Sequence, residues 1–284
     1  MKVVVGGGTG YIGRALVRSL EADGHEVVVV SRGGGAGTVA WDDVAGAVDG
    51  ADAVVNVAGA SIGGRRWTRR RKDAIRSSRV DTTTRLAAAI AVAGRPPRVL
   101  AMASGIDYYG DSGDTVVDES SPPGSSFLAR VAAAWEAAAV SAPGRRVVLR
   151  QGFVVGRDAP ALRLMALPYR LFVGGQIGGG RQWFPWIHID DLVHLYRRAI
   201  DDEALSGPVN AVAPQQLRQA EASHDFAAVL HRPALLPTPA VAVRLALGEQ
   251  ADLLLQGQRA VSRKLDGFDF RFRQLRPALA EALG

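Results

Sequence analysis

The chain begins MKVVVGGGTGYIG (residues 1–13), and the reading of this stretch decides the fold. An apolar run over 2–5 reads as a buried strand and passes without a spacer into Gly7, Gly10 and Gly13. A helix is expected over 14–22. In that strand, turn, helix order the glycines have separate mechanical tasks. Gly7 permits the tight turn, Gly10 leaves room for backbone to approach a pyrophosphate, and Gly13 lets the helix lie close on the strand. The unpaired N–H groups and positive dipole end of the helix then face the phosphates. A dinucleotide site is therefore expected on Gly7, Thr9, Gly10, Tyr11, Ile12 and Gly13. The spacing is GxxGxxG, one residue longer in its first interval than the GxGxxG of many dehydrogenases.

The bulk properties are compatible with that site. A chain of 284 residues with 48% hydrophobic content can bury one large α/β core and a smaller lobe. It has no cysteine, which excludes disulfides, thiol chemistry and thiolate metal sites; no metal is expected. There is no apolar run of about 18 residues, so no membrane partner is expected, and the absence of a secretory signal points to the cytoplasm. The net charge of +6 favours anionic ligands in general.

The second strand, over 27–30, ends in Ser31-Arg32, where a dinucleotide fold places the residue that meets the adenosine ribose. An acidic residue there suits NAD. This chain offers a hydroxyl and a guanidinium, with no carboxylate before Asp42, so Ser31 and Arg32 are read as holding a 2′-phosphate and NADP(H) is the expected cofactor. Strands follow over 38–41 and 52–57, the latter running into Val57-Ala58-Gly59, small residues that let a cofactor approach.

Residues 65–79 read RRWTRRRKDAIRSSR, eight basic residues against Asp73. Nucleic-acid binding would call for interleaved aromatics, and only Trp67 is present, so most of this run reads as a solvated, partly helical face and no nucleic-acid partner is expected. Arg79 differs. It falls in the inward stripe with Ile75, Thr82, Leu86 and Ile90, and an inward charge needs a partner, either cofactor phosphate or ribose or an unseen carboxylate.

A strand over 99–103 ends at Ser104, followed by Tyr108 and Tyr109, at the end of a parallel strand where ligands bind in open α/β sheets. Residues 111–126 read as a loop, 127–140 as a helix and 146–149 as a strand. Beyond Gly156 the alternation loosens: helix 162–172, a glycine-rich loop ending at Arg181, strand 182–188, a helix to 200 capped by Asp190 or Asp191, strand 208–212, helix 215–230 and a mostly helical tail over 240–284. The expected organisation is a Rossmann-type, doubly wound parallel sheet over 1–156, to which strands near 182–213 return. A mixed substrate lobe spans 157–237, and a small helical region 238–284.

The segments VGGGTGYIG, EVVVVSR, VNVAGA, RRWT, SSRV, the YYG turn, WEAAA, GGQIGGGRQWFPWIHIDDL, GPVNAVAP and LGEQADLLLQGQRA together resemble the epimerase-like atypical extended short-chain dehydrogenase/reductases. The resemblance runs along nearly the whole chain. It implies NADP(H) held by Ser31, Arg32, Val57, Ala58, Arg79 and Val154, and a small-molecule substrate of unspecified identity. It also implies oxidoreductase or epimerase chemistry, which in that superfamily rests on a Tyr-x-x-x-Lys pair with a Ser or Thr. Here the tyrosine position falls at Phe127 or Leu128 and the lysine position at Val131 or Ala132, so the pair is missing. Ser104, Tyr108 and Tyr109 are the candidate replacements, and Arg181 and His188 the candidate substrate contacts. Without the pair, a non-catalytic NADP(H)-binding regulator or scaffold is the alternative reading.

Overall fold

The computed structural model describes residues 1–35, 37–64, 66–234 and 236–284; Arg65, in the basic run, lies outside them. The elements, in chain order, are β1 (Lys2–Gly6), α1 (Tyr11–Ala22), β2 (Glu26–Ser31), β3 (Thr38–Ala40), α2 (Val44–Val48), β4 (Ala53–Asn56), α3 (Arg69–Val92), β5 (Val99–Gly105), β6 (Val116–Val117), α4 (Phe127–Ala138) and β7 (Arg145–Gln151). Then follow β8 (Phe153–Val155), α5 (Pro160–Arg170), β9 (Trp186–His188), α6 (Ile189–Asp201), β10 (Gly207–Ala211), α7 (Gln219–Leu230), α8 (Ala240–Leu247), α9 (Asp252–Leu255), β11 (Arg259–Ala260) and α10 (Leu275–Leu283).

Seven parallel strands form the central sheet in the order β10-β7-β5-β4-β1-β2-β3. Parallel pairing needs crossover connections, which place helices on both faces, and this is why the strands read as unbroken apolar runs rather than alternating ones. Val3 and Val5 pack into the core on the α1 and α6 side, with Leu16, Leu20 and Leu192; Val4 packs into the opposite core with Leu86, Ile90 and Trp135. The strand order reverses between β1 and β4, so a crevice opens beyond their carboxyl ends, below the glycine turn.

Of the later segments, β10 adds to the sheet edge beside β7, whereas β9 pairs with β8 in a separate two-stranded sheet. That strand is only three residues long because Pro185, immediately before it, lacks an amide donor. A third core, built on Tyr169, Trp186, Phe226, Leu275 and Leu279, gathers α5, α7 and α10 into the lobe. The tail is less helical than expected: between α9 and α10 it runs irregularly and contributes β11, which pairs with β6 from the expected loop 111–126. Among the described residues no helix is long and apolar enough to cross a membrane.

Candidate cofactor and active site

The glycine turn is a cradle that side chains would fill. Gly7 has φ +81°, and a Cβ there would lie 2.7 Å from the Ala58 backbone; at Gly13 a Cβ would sit on the Gly7 carbonyl oxygen and 2.7 Å from Gly8 Cα. These clashes are with backbone, so they have no soft escape. The turn closes with Gly10 N–H donating to the Gly7 carbonyl at 3.0 Å, and α1 starts at Tyr11, three residues earlier than its apolar pattern suggested. Its N-cap, Gly10, has no side chain to cap with, and no acidic residue lies in the first turn. The amides of the first turn thus face the crevice with the helix dipole behind them, the arrangement that suits a pyrophosphate. The Tyr11 side chain goes elsewhere. Its phenol packs against Gly156 and Ile189 without a hydrogen-bond partner, and burial first, then Asp190, Glu281 and Asp158, pushes its pKa up to about 12.

At the end of β2, Arg32 is exposed and makes no ion pair among the described residues, while the Ser31 hydroxyl shares a 2.9 Å hydrogen bond with Thr38. At the end of β4, buried Asn56 fixes the next turn: its Oδ1 accepts from the Ala58 amide at 3.1 Å, and its Nδ2 donates to Thr83 at 2.8 Å. Gly59 follows, where a Cβ would meet the Arg79 guanidinium at 3.1 Å. Val57, Ala58, Gly59 and Arg79 therefore share one wall of the crevice with Gly7. Val154, half-buried on β8 opposite Ile187, belongs to the strand that borders the lobe.

Arg79 points inward as its spacing predicts. It donates to the carbonyls of Ala60 (2.9 Å) and Ile75 (3.1 Å), lies 5.2 Å from the Trp135 ring, and forms no ion pair among the described residues. Burial pushes its pKa down to about 10, against the pull of Asp107. Arg71 donates to the Ser61 carbonyl, and Trp67 donates to that of Ile62 at 2.8 Å. Part of the basic run is thus spent on pinning the loop that follows β4, rather than standing free in solvent.

The three candidate catalytic residues part company. The Ser104 hydroxyl donates to Glu136 at 2.7 Å, and Glu136 forms a two-pronged pair with Arg150 at 2.9 and 2.8 Å. Arg150 donates also to the Tyr109 hydroxyl (2.8 Å), which in turn donates to Asn210 (2.7 Å). Burial lowers the Arg150 pKa, but Glu136 and Tyr109 more than offset this and the net shift is upward. Burial raises that of Tyr109. Both oxygens, Ser104 Oγ and Tyr109 Oη, are committed inside a network joining β5, α4, β7 and β10. Tyr108 packs its ring under the Arg150 guanidinium, 3.5 Å from the centroid.

Residue-type reasoning missed Asp107, in the 3-10 turn after β5. Its Oδ2 stands 3.4 Å from where a Gly105 Cβ would be, within electrostatic reach of Arg79. Burial raises its pKa, which Arg79 only partly opposes. A carboxylate two residues past a central strand was the signal available in the sequence. The positions of the absent pair are apolar: Phe127, one candidate for the tyrosine position, meets Trp67 edge-on at 5.2 Å, and Val131 and Ala132, the candidates for the lysine position, are buried in α4.

His188 is not positioned as a substrate contact. It is the N-cap of α6, its Nδ1 accepting from the Asp190 amide at 3.2 Å, with Nε2 3.2 Å from Glu281 and the ring 4.1 Å from that of Phe272. It therefore replaces the expected aspartate cap, and Asp191 instead receives the amides of Arg271 (2.7 Å) and Phe272 (3.1 Å), tying the tail to the sheet. Arg181 lies exposed on the lobe, far from the glycine turn in sequence and beside Trp183, which Arg218 and Arg259 flank at 4.4 and 4.8 Å. Among the described residues no group of His, Cys, Asp and Glu could hold a metal.

Comparisons agree with this architecture. A family model described as the NAD dependent epimerase/dehydratase family matches residues 3–212, and a second, a domain of unknown function (DUF1731), matches 238–282. The chain is 41% identical to the human epimerase family protein SDR39U1 over 99% of each. To the Bacillus subtilis epimerase family protein YfhF it is 35% identical, covering 100% of this chain and 98% of the relative. A crystal structure of human SDR39U1 (isoform 2) with NADPH superposes with a TM-score of 0.93 at 41% identity, over 99% of this chain and 98% of that one. With the glycine cradle, the doubly wound sheet and the appended lobe in place, the chain belongs to the NAD dependent epimerase/dehydratase family, among the epimerase-like atypical short-chain dehydrogenase/reductases.

Proposed function

We propose that the protein is a cytoplasmic NADP(H)-dependent oxidoreductase of the extended short-chain reductase type, interconverting a carbonyl and an alcohol, with epimerisation as a variant of the same chemistry. The observation that carries this reading is the uncapped amino end of α1 behind a turn in which Cβ atoms at Gly7 and Gly13 would strike backbone. That the crystal structure of the human relative at TM-score 0.93 is one with NADPH supports the choice of cofactor. When bound, NADPH supplies the hydride. The amides of Tyr11, Ile12 and Gly13 take the pyrophosphate, Arg32 with Ser31 takes the 2′-phosphate, and Arg79 gains the anionic partner it lacks within the chain. Asp107, whose carboxyl burial shifts toward the protonated form, gives a proton to the substrate oxygen. The carboxylate left behind is stabilised by Arg79. Ser104, Tyr108 and Tyr109 act through the Arg150 network, which holds the turn carrying Asp107. Arg181, with Arg218 and Arg259, supplies positive charge for an anionic part of the substrate.

The test is a matched titration with NADPH and NADH, followed by nicotinamide fluorescence, on the wild type and Arg32→Ala. A charged hydrogen-bond pair is worth about 1.5–3 kcal/mol, so Arg32→Ala should weaken NADPH about 10- to 150-fold and leave NADH unchanged. Failure of either nucleotide to bind at micromolar concentration overturns the proposal. The second reading, an NADP(H)-binding regulator, is favoured by the apolar residue, Phe127 or Leu128, at the tyrosine position; tight NADPH binding with no turnover across a carbonyl and sugar-nucleotide screen would select it.

A further inference from the structure

Most of the large apolar side chains that the surface leaves exposed are gathered on the lobe, away from the cofactor crevice. Leu164 and Leu167 share one face of α5 at helical spacing, and Leu171 at its C-cap, Phe172 and Val173 continue it. The stretch after Val173 runs alongside residues 236–240: Thr238 donates to the Gln176 carbonyl at 2.9 Å, and Gly178 to that of Thr238 at 2.8 Å. This brings Leu236, and then Val241 and Leu245 on one side of α8, to the same border of the lobe. These side chains are 49% to 74% exposed.

The two segments that carry them contain no carboxylate of their own. The chain has 28 carboxylates in 284 residues, yet none between Asp158 and Asp190 and none between Asp225 and Glu249, the two segments that carry the patch. They contain Arg163 and Arg244, which pair with Asp158 and Asp252 outside the segments, and Arg170 and Arg232, which form no ion pair among the described residues; the Arg232 guanidinium lies 4.6 Å from the Phe172 ring. Outward leucines on short helices with Phe172 beside them, and Arg170 and Arg232 as unpaired cations among the described residues, match the chemistry of an anionic bilayer surface, where apolar groups enter the acyl boundary and cations meet the headgroups. A protein partner of mixed charge would not require that exclusion of carboxylates. Among the described residues no helix is long and apolar enough to cross a bilayer, and lying on one requires none.

We propose that this face of the lobe docks peripherally on anionic lipid bilayers. The test is flotation of the full chain with vesicles of phosphatidylcholine alone or with 30% phosphatidylglycerol. Binding is expected to the anionic vesicles only, to fall at least tenfold with Leu167→Glu/Phe172→Glu and with Arg170→Glu, and to survive Arg69→Glu/Arg70→Glu in the basic run. Unaltered NADPH affinity in each variant reports an intact fold. No flotation with anionic vesicles, or flotation lost through Arg69 and Arg70 but not through Leu167 and Phe172, overturns the proposal. So does a dimer seen by sedimentation that Leu167→Glu/Phe172→Glu dissociates while no vesicle binds, because the patch is then a contact between copies.

Discussion

Replacing Arg150 by methionine separates a structural from a catalytic role for Ser104 and Tyr109. The side chain of Arg150 is 4% exposed and that of Glu136 15%, so the variant strands a carboxylate with Ser104 as its remaining side-chain donor and deprives the Tyr109 hydroxyl of one partner. Removing one member of a buried pair costs about 3–5 kcal/mol, since the remaining charge keeps its desolvation penalty without its counter-ion. With unfolding entropy of about 2.1 cal/mol/K per residue, 284 residues give about 0.6 kcal/mol per kelvin, so Tm should fall by about 5–8 °C. Thermal denaturation followed by circular dichroism measures this. Arg150→Met/Glu136→Met removes both charges and should recover at least half of the loss, because an apolar pair of similar volume is close to neutral against a buried ion pair. NADPH affinity should stay within about threefold of the wild type throughout, a change below about 0.7 kcal/mol. The reasoning is refuted if Arg150→Met melts within about 1 °C of the wild type, or if the double variant melts no higher than the single one.

Gly13→Ala should abolish measurable NADPH binding and cost about 1–3 kcal/mol of stability, since the new methyl meets the Gly7 carbonyl and Gly8 Cα, neither of which can rotate away; wild-type affinity in the variant would refute the cradle. For Asp107→Asn the sign follows from the raised pKa: the native state holds this proton more tightly than the unfolded chain, so stability falls as pH rises from the ordinary carboxylate range through the raised value. The variant should therefore melt above the wild type at pH 8, with the difference shrinking toward pH 4, and it should keep NADPH binding while losing turnover. A pH-independent difference in Tm, or undiminished turnover, would count against Asp107. His188→Ala removes the α6 cap and the Glu281 contact, and should cost about 0.5–2 kcal/mol in chemical denaturation; no loss would return His188 to the substrate candidates.

The amino-terminal glycine turn, the cofactor class and the parallel sheet could be read from the chain because each is a local matter. A strand that runs into Gly7, Gly10 and Gly13 admits few backbone paths, the Ser31-Arg32 pair adjoins its strand, and unbroken valine runs need helices on both faces. The inward direction of Arg79 was likewise set by helical spacing. Assigning its contacts needed the fold: the Ala60 carbonyl to which it donates belongs to the loop after β4, and Asp107, which acts on it, comes from the turn after β5.

What only the tertiary structure decided are the residues whose role depends on partners distant in the chain. Ser104 and Tyr109 looked free at a strand end, yet Glu136, Arg150 and Asn210 hold their oxygens, from elements up to 101 residues away. His188 could face either the lobe cleft or a capping carboxylate from its strand position, and it caps a helix, with Glu281, 93 residues on, closing its other nitrogen. Whether a polar side chain is available for chemistry depends on which groups satisfy it after burial, and sequence spacing carries no information about partners that only the sheet and the returning tail bring within hydrogen-bond distance.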